Sequence, residues 1–383
     1  MKIAFLTPEF PHPKMGASGG IGTSIFNLSK GLMSIGHEVV LLVYGQKEDE
    51  YFTEEGIHYY RIKNVKLKGF SRVLTQKKIQ RKINYLVKTI GIDVVEAPDW
   101  TGITAGIRPD CPVVVRLHGS DTYFCNLDNR PVKMITKTRE RLALKNADGL
   151  LSVSQYTANV TKELFSLNKD FTIIPNGIDL NHFNADLSGT TDQNTILYFG
   201  TLIRKKGLLE LPLIFNQVYK ENQQAKLILI GRDASDILTG NPSVWSMMQP
   251  LFNQKAFQNV SYLGSVSYED MKEHISRASV CVFPTFAEAL PVSWIESMAV
   301  QKAVVASNIG WASEIITDGQ DGFLVHPHDH QVFAQKIVTL LSNEKLRNQF
   351  GEAARKKVEQ KFSLQVVAAQ SVDYYKQLLP RKA

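Results

Sequence analysis

A chain of 383 residues, 44% of them apolar and 21% charged, has the make-up of a folded globular protein, long enough for two or three domains with cores of their own. Its apolar runs stop well short of the ~18 residues of a membrane span, and the first residues carry too short an apolar segment for a secretory signal, so a cytoplasmic location is expected. Cys111, Cys125 and Cys281 show no Cys-x-x-Cys pairing and no neighbouring His cluster, so neither a disulfide framework nor a zinc site is expected of them. The net charge of +7 is uneven: residues 1–180 hold 24 basic against 18 acidic side chains, and 61–88 hold ten basic and no acidic ones.

In chain order, short β-rich apolar runs alternate with segments of helical period, the pattern of parallel strands joined by crossover helices. A first series predicts strands at 2–7, 38–44, 93–97, 112–117, 149–154 and 171–175, with helices at about 21–35, 72–89, 131–146 and 155–166. The stretch 176–194, rich in Asn, Asp, Gly, Ser and Thr, reads as a linker. A second series predicts strands at 195–200, 225–231, 260–264, 280–284, 303–307 and 322–325, with helices near 206–220, 268–276, 291–300 and 331–342. A last apolar-periodic helix spans 363–380. The strands lack strict alternation, which fits burial on both faces. Such sheets bind ligands beyond the carboxyl ends of their strands.

Four junctions carry candidate chemistry. In FPTFAEALPVSWIE (283–296), Glu288 lies in a loop and Pro291 suits a first helical turn, so the loop backbone and helix N-terminus offer N–H groups to an anion such as a diphosphate. Glu296 lies about 7.5 Å further along that helix, where a carboxylate could accept hydrogen bonds from a vicinal diol such as a ribose. A solvated loop carboxylate and a surface helix carboxylate would give the same spacing. GTLIRKKG (200–207) places Arg204, Lys205 and Lys206 in a basic turn, facing either a phosphate or solvent. GGIG (19–22) lets the backbone approach a ligand closely, but Ile25 stands where Gly-x-Gly-x-x-Gly needs its last glycine, which counts against a dehydrogenase. His118 ends a buried strand in RLHGSD (116–121), either as a core histidine or as a ligand group.

GGIG (19–22), RLHGSD (116–121), SVSQYTANVT (152–161), IPNGID (174–179), RKKG (204–207) and the Glu-x7-Glu motif EALPVSWIE (288–296) resemble the retaining nucleotide-sugar glycosyltransferases of family 4. The resemblance implies an α/β GT-B fold, two Rossmann-like parallel-sheet domains facing across a cleft. Here these would be an acceptor domain (1–178), a donor domain (179–361) and a C-terminal helix (362–383) crossing back to the first. It implies transfer of a sugar from a nucleoside-diphosphate sugar to a glycan or lipid-linked acceptor, with retention, in surface polysaccharide or glycolipid biosynthesis. By the same resemblance Lys206 neutralises the diphosphate, Glu288 holds a hydroxyl of the transferred sugar and Glu296 the ribose. Ala289, Leu290 and Val292 line the pocket, His118 contacts the donor sugar, and Gly20 brings the backbone to the diphosphate.

Two positions depart from the family pattern. Thr201 stands where an Arg is common, so Arg204 or Lys205 would supply the second cation, and Ala289 stands where Gly is frequent. With no Asp-x-Asp motif, no metal and no other cofactor is expected. The basic stretch 61–88, with Phe70, Leu74, Ile79, Ile83 and Leu86 among its cations, would either dock on an anionic membrane at the inner face or present a solvated basic surface. Nucleic acid is not expected as a partner, since two aromatics are interleaved and no recognition motif accompanies them. An inactive GT-B scaffold partnering an active transferase, or another GT-B enzyme such as a sugar-nucleotide epimerase, stays open on the sequence.

Overall fold

The computed structural model describes residues 1–16, 18–184 and 191–379. Ala17 of the glycine loop, residues 185–190 of the linker and the last four residues of the C-terminal segment lie outside the described residues. The chain divides into two units, Met1–Asp179 with Phe362–Ala383, and Leu180–Lys361.

The first unit is built on eight strands: β1 (Lys2–Thr7), β2 (Glu38–Gln46), β3 (Glu50–Glu54), β4 (Ile57–Lys63), β5 (Val94–Pro98), β6 (Val113–Leu117), β7 (Gly149–Ser152) and β8 (Thr172–Ile173). They form one sheet in the order β3-β4-β2-β1-β5-β6-β7-β8, parallel throughout except for the β3–β4 pair. Between these strands lie α1 (Gly20–Ser34), α2 (Ser71–Ile90), α3 (Asp121–Leu127), α4 (Met134–Asn146) and α5 (Gln155–Phe165), with α3 and α4 both between β6 and β7. Because side chains alternate across a strand, β1 sends Ile3 and Phe5 into a core with Leu28 and Leu32 of α1, and Ala4 and Leu6 into another with Ile79, Ile83 and Leu86 of α2. The β3–β4 hairpin was not among the expected elements. Its turn needs two left-handed residues, supplied by Glu55 (φ 49°) and Gly56 (φ 79°), and Glu-Gly is a weaker hairpin signal than Asn-Gly.

Helix α2 corrects the reading of the basic stretch. Ile79, Ile83 and Leu86 are buried in the core and cannot face a bilayer, while Phe70 stays exposed. Two of its cations are also engaged: Arg72 donates to the carbonyls of Thr101 and Gly102 at 2.6 and 2.8 Å, and Lys78 reaches Asp49 at 2.6 Å.

The second unit has six parallel strands, β9 (Thr195–Phe199), β10 (Lys226–Ile230), β11 (Val260–Tyr262), β12 (Val280–Phe283), β13 (Ala303–Ser307) and β14 (Phe323–Val325), in the order β11-β10-β9-β12-β13-β14. Its helices are α6 (Leu211–Glu221), α7 (Val244–Met248), α8 (Gln254–Phe257), α9 (Tyr268–Arg277), α10 (Val292–Ala299), α11 (Ala312–Ile315), α12 (His330–Ser342) and α13 (Glu344–Lys361). Helix α13, absent from the expectations, buries little more than Phe350, Gly351, Ala354 and Val358, too narrow an apolar stripe to stand out. From β9 the chain builds outward through β10 and β11, and from β12 it builds the other way. The reversal between β9 and β12 opens a crevice at their carboxyl ends, where ligands of such sheets sit.

Helix α14 (Leu364–Leu378) belongs to the first unit. Ser363 caps it by accepting from the Val366 N–H, and α1 approaches closely at Gly31, where a Cβ would lie 2.8 Å from the Leu364 carbonyl oxygen. A buried polar cluster fixes its outer turns. Arg116 of β6 donates to both Glu96 oxygens at 2.8 and 3.1 Å and to the Ser371 hydroxyl at 3.1 Å, and the Tyr375 hydroxyl donates to Glu96 at 2.6 Å.

Candidate functional site

The turn after β9 is built to fit against the loop after β12. Gly207 takes a left-handed conformation (φ 73°), and a Cβ there would overlap the Pro284 carbonyl oxygen, so only glycine allows the approach. The Lys205 carbonyl accepts from the Phe286 and Ala287 N–H groups at 2.8 and 3.2 Å. The backbone of RKKG is thus bonded to the loop that carries Glu288. The left-handed residue also explains why the helix expected from about 206 begins only at Leu211, after a single tight turn over Arg204–Lys206.

That latch brings two expected site residues together. Lys206 Nζ lies 3.1 Å from Glu288 Oε1, with both side chains about a fifth exposed (22% and 18%). Burial pushes the Glu288 carboxyl up, but Lys206, Lys205 and the Ala289 N–H outweigh it and hold it below the ordinary carboxylate range. Pro291 stands at the N-cap of α10, so Val292 begins the helix; Ala289 and Leu290 are buried just before it. Ala289 has negative φ, so the methyl group is carried without backbone strain. Glu296 is buried on α10, and burial raises its carboxyl to about 7, with Lys206 pulling weakly the other way.

Of the two candidates for the cation missing at Thr201, Arg204 is committed elsewhere. Its guanidinium donates to both oxygens of Asp236 at 2.8 Å each, and Asp236 in turn accepts from the Thr239 hydroxyl at 2.6 Å. Hydrogen bonding by Arg204 holds Asp236 well below the usual carboxylate range. Lys205 and Lys206 are the cations of this turn that act on Glu288.

In the first unit, His118 follows β6 and its N–H donates to Asp99 Oδ1 at 2.9 Å. Asp99 is buried, its Oδ2 has no hydrogen-bond partner, and burial raises its carboxyl to about 7. Burial, with Arg116 adding to it, lowers the His118 imidazole to about 3, so the ring is neutral at physiological pH. Gly20 opens α1 with open space around it, and the Gly19 and Gly22 N–H groups both donate to Glu9 Oε1 at 2.9 Å. Glu9 and Asp99 were not among the expected residues. Each acts through backbone N–H groups ten or more positions away, which no local spacing in the sequence announces.

Two units of parallel strands with crossover helices, and a basic turn beside a Glu-x7-Glu junction at the second sheet's switch point, define the class of GT-B transferases. Residues 18–182 match the model of "Glycosyltransferase Family 4" and residues 183–357 that of "Glycosyl transferases group 1", and the chain belongs to this glycosyltransferase family. It is 26% identical to an uncharacterized glycosyltransferase of Methanocaldococcus jannaschii over 98% of each chain. It is 29% identical to the capsular polysaccharide biosynthesis glycosyltransferase CapM of Staphylococcus aureus, over 60% of this chain and 61% of that one. Its fold matches HepE of Anabaena, solved in complex with UDP-glucose, with a TM-score of 0.73 at 19% identity over 98% of this chain and 100% of that one.

Proposed function

We propose that the protein is a retaining glycosyltransferase that moves a hexose from a nucleoside-diphosphate sugar to a glycan or lipid-linked acceptor in surface polysaccharide or glycolipid synthesis. The observation that carries the reading is the Lys206–Glu288 pair, with Glu296 buried on the helix behind it. The capsular assignment of CapM and the UDP-glucose bound by HepE support the pathway and the donor class.

Transfer expels a nucleoside diphosphate while the anomeric carbon gains positive charge, so the protein's task is to stabilise both charges. Lys206, with Lys205 beside it, meets the diphosphate as its leaving oxygen takes up charge. The N–H groups from Ala289 to Val292 line the same anion, apart from Pro291, which has none to give. Glu288 accepts from a hydroxyl of the transferred sugar, and Glu296 from the ribose. His118 meets the sugar as a neutral hydrogen-bonding group, and the backbone at Gly20 approaches the diphosphate. The acceptor oxygen forms the new bond on the face the diphosphate leaves, and its proton passes to the departing phosphate oxygen. No protein nucleophile is needed, and the diphosphate is handled by protein groups without a divalent cation. Turnover that EDTA abolishes and magnesium restores would contradict that last point.

Among the described residues no helix is long and apolar enough to cross a membrane. With α2's inner face buried, contact with an anionic bilayer rests instead on the exposed Leu67, Phe70 and Val73 beside Lys66 and Lys68. The test of the central reading is incubation with α-configured UDP-, GDP- and ADP-sugars, with nucleotide release followed and the product's anomeric configuration read by NMR. An α-linked product is expected. A β-linked product overturns retention, and no nucleotide release from any donor overturns the activity.

A further inference from the structure

The second unit holds another cluster of ligating side chains, outside the Lys206–Glu288 pair. Glu210, the residue before α6, His328, in the loop after β14, and His330, the first residue of α12, bring one ligating atom each to within 4.8 Å of one another. His330 Nε2 lies 2.6 Å and His328 Nδ1 3.5 Å from the same oxygen, Glu210 Oε2. A tetrahedral ion with bonds of about 2.0–2.1 Å sets its ligand atoms roughly 3.3 Å apart, close to the His328 separation and a small opening from the His330 one.

The loop is already shaped for this. His326 Nδ1 accepts from the His328 N–H at 3.3 Å, the Asp329 N–H donates to the His326 carbonyl at 2.9 Å, and the Phe286 ring packs 4.8 Å from the His328 ring. His328 is itself exposed, which leaves a coordination position facing water. The N-termini of α6 and α12 disfavour a cation, and the Glu210 carboxylate supplies the charge that offsets them.

We propose that Glu210, His328 and His330 bind one divalent transition-metal ion of the zinc type, with water in the fourth position. Two imidazole nitrogens and one carboxylate oxygen suit zinc, cobalt or nickel, whereas magnesium and calcium take oxygen ligands. The ion ties loop 326–330 to the start of α6, three residues beyond Gly207, and so braces the ring of Phe286, whose N–H holds the Lys205 carbonyl. It stabilises the turn that carries Lys206 and takes no part in the transfer chemistry. The sequence signal is the His-x-His of HPHDH (326–330).

The test titrates zinc into the full chain without an affinity tag, by calorimetry at mildly basic pH, and follows thermal unfolding with zinc and with magnesium. One zinc ion per chain and a raised Tm are expected, with no effect of magnesium. Binding weakens at least tenfold in the His328→Gln/His330→Gln double variant and in Glu210→Gln, either of which serves if the other misfolds, while His58→Gln, on β4 of the first unit, binds as the wild type does. No zinc binding, or equal binding by folded double variant and wild type, overturns the proposal. The titration needs no sugar donor, so it stands or fails apart from the transfer reading; Lys206→Ala loses turnover and keeps the zinc site.

Discussion

Lys206 and Glu288 hold each other at 3.1 Å at the switch point of the second sheet, so the ammonium proposed to meet the diphosphate is kept in place by the carboxylate proposed to meet a sugar hydroxyl. On the proposed reading, donor binding brings the diphosphate to Lys206 and a sugar hydroxyl to Glu288. A charge-assisted hydrogen bond contributes about 1.5–3 kcal/mol, so Lys206→Ala is expected to lower turnover by roughly ten- to a hundredfold. Steady-state kinetics with a single donor checks this. Removing the ammonium also removes the main influence holding Glu288 down, so the variant's Glu288 carboxyl titrates at higher pH.

Glu296 gives a pH dependence of definite sign. Burial raises its carboxyl from 4.5 to about 7 in the folded chain. Between those values the unfolded chain has released a proton that the folded chain still holds, so raising the pH favours unfolding. The folded state loses about 3 kcal/mol over that window, and no more above it. In Glu296→Gln the loss is absent, and urea unfolding of both proteins at pH 5 and pH 8 measures the difference. Ribose hydroxyls donate best to the ionised carboxylate, so donor affinity rises with pH through about 7 in the wild type and stays flat in the Gln variant.

Gly207→Ala places a methyl group against the Pro284 carbonyl and forces a left-handed conformation on a side-chain-bearing residue. A cost of about 1–3 kcal/mol is expected, together with loss of donor binding, because the same turn holds Phe286, Ala287 and Lys206. Thermal unfolding and donor titration of the one variant check both. Unchanged donor affinity would separate the turn from the site.

The buried cluster that fixes α14 predicts unequal costs. Tyr375→Phe removes one hydrogen bond and leaves Glu96 paired with Arg116, a loss of about 1–2 kcal/mol. Glu96→Ala leaves the Arg116 charge buried without its carboxylate and costs about 3–5 kcal/mol. Chemical unfolding of the two variants side by side gives the ratio.

Much of this was legible in the residues because strands buried on both faces leave continuous apolar runs, as in KIAFLT (2–7) and PVVVRL (112–117). The candidate site was legible because each part is local: RKKG within one turn, Glu288 and Glu296 within one loop and one helix. What escaped depends on partners distant in sequence. Whether Arg204 faces a phosphate or solvent stays open until Asp236, 32 residues on, occupies its guanidinium. The residues of 61–88 leave a membrane face and a solvated basic helix equally open until the sheet covers Ile79 and Ile83. Glu210 and His330 are 120 positions apart and meet because α6 and α12 start side by side.

The proposed binding of a nucleoside-diphosphate sugar by the second unit rests on Lys206, Glu288 and Glu296. It is tested most directly by calorimetric titration of UDP, GDP and ADP and their common sugar conjugates into the wild type and into Glu296→Ala. One nucleotide is expected to bind, and the variant to bind it roughly ten- to a hundredfold more weakly, the value of a hydrogen bond to a charged group. No binding of any of them, or equal binding by the variant, would contradict it.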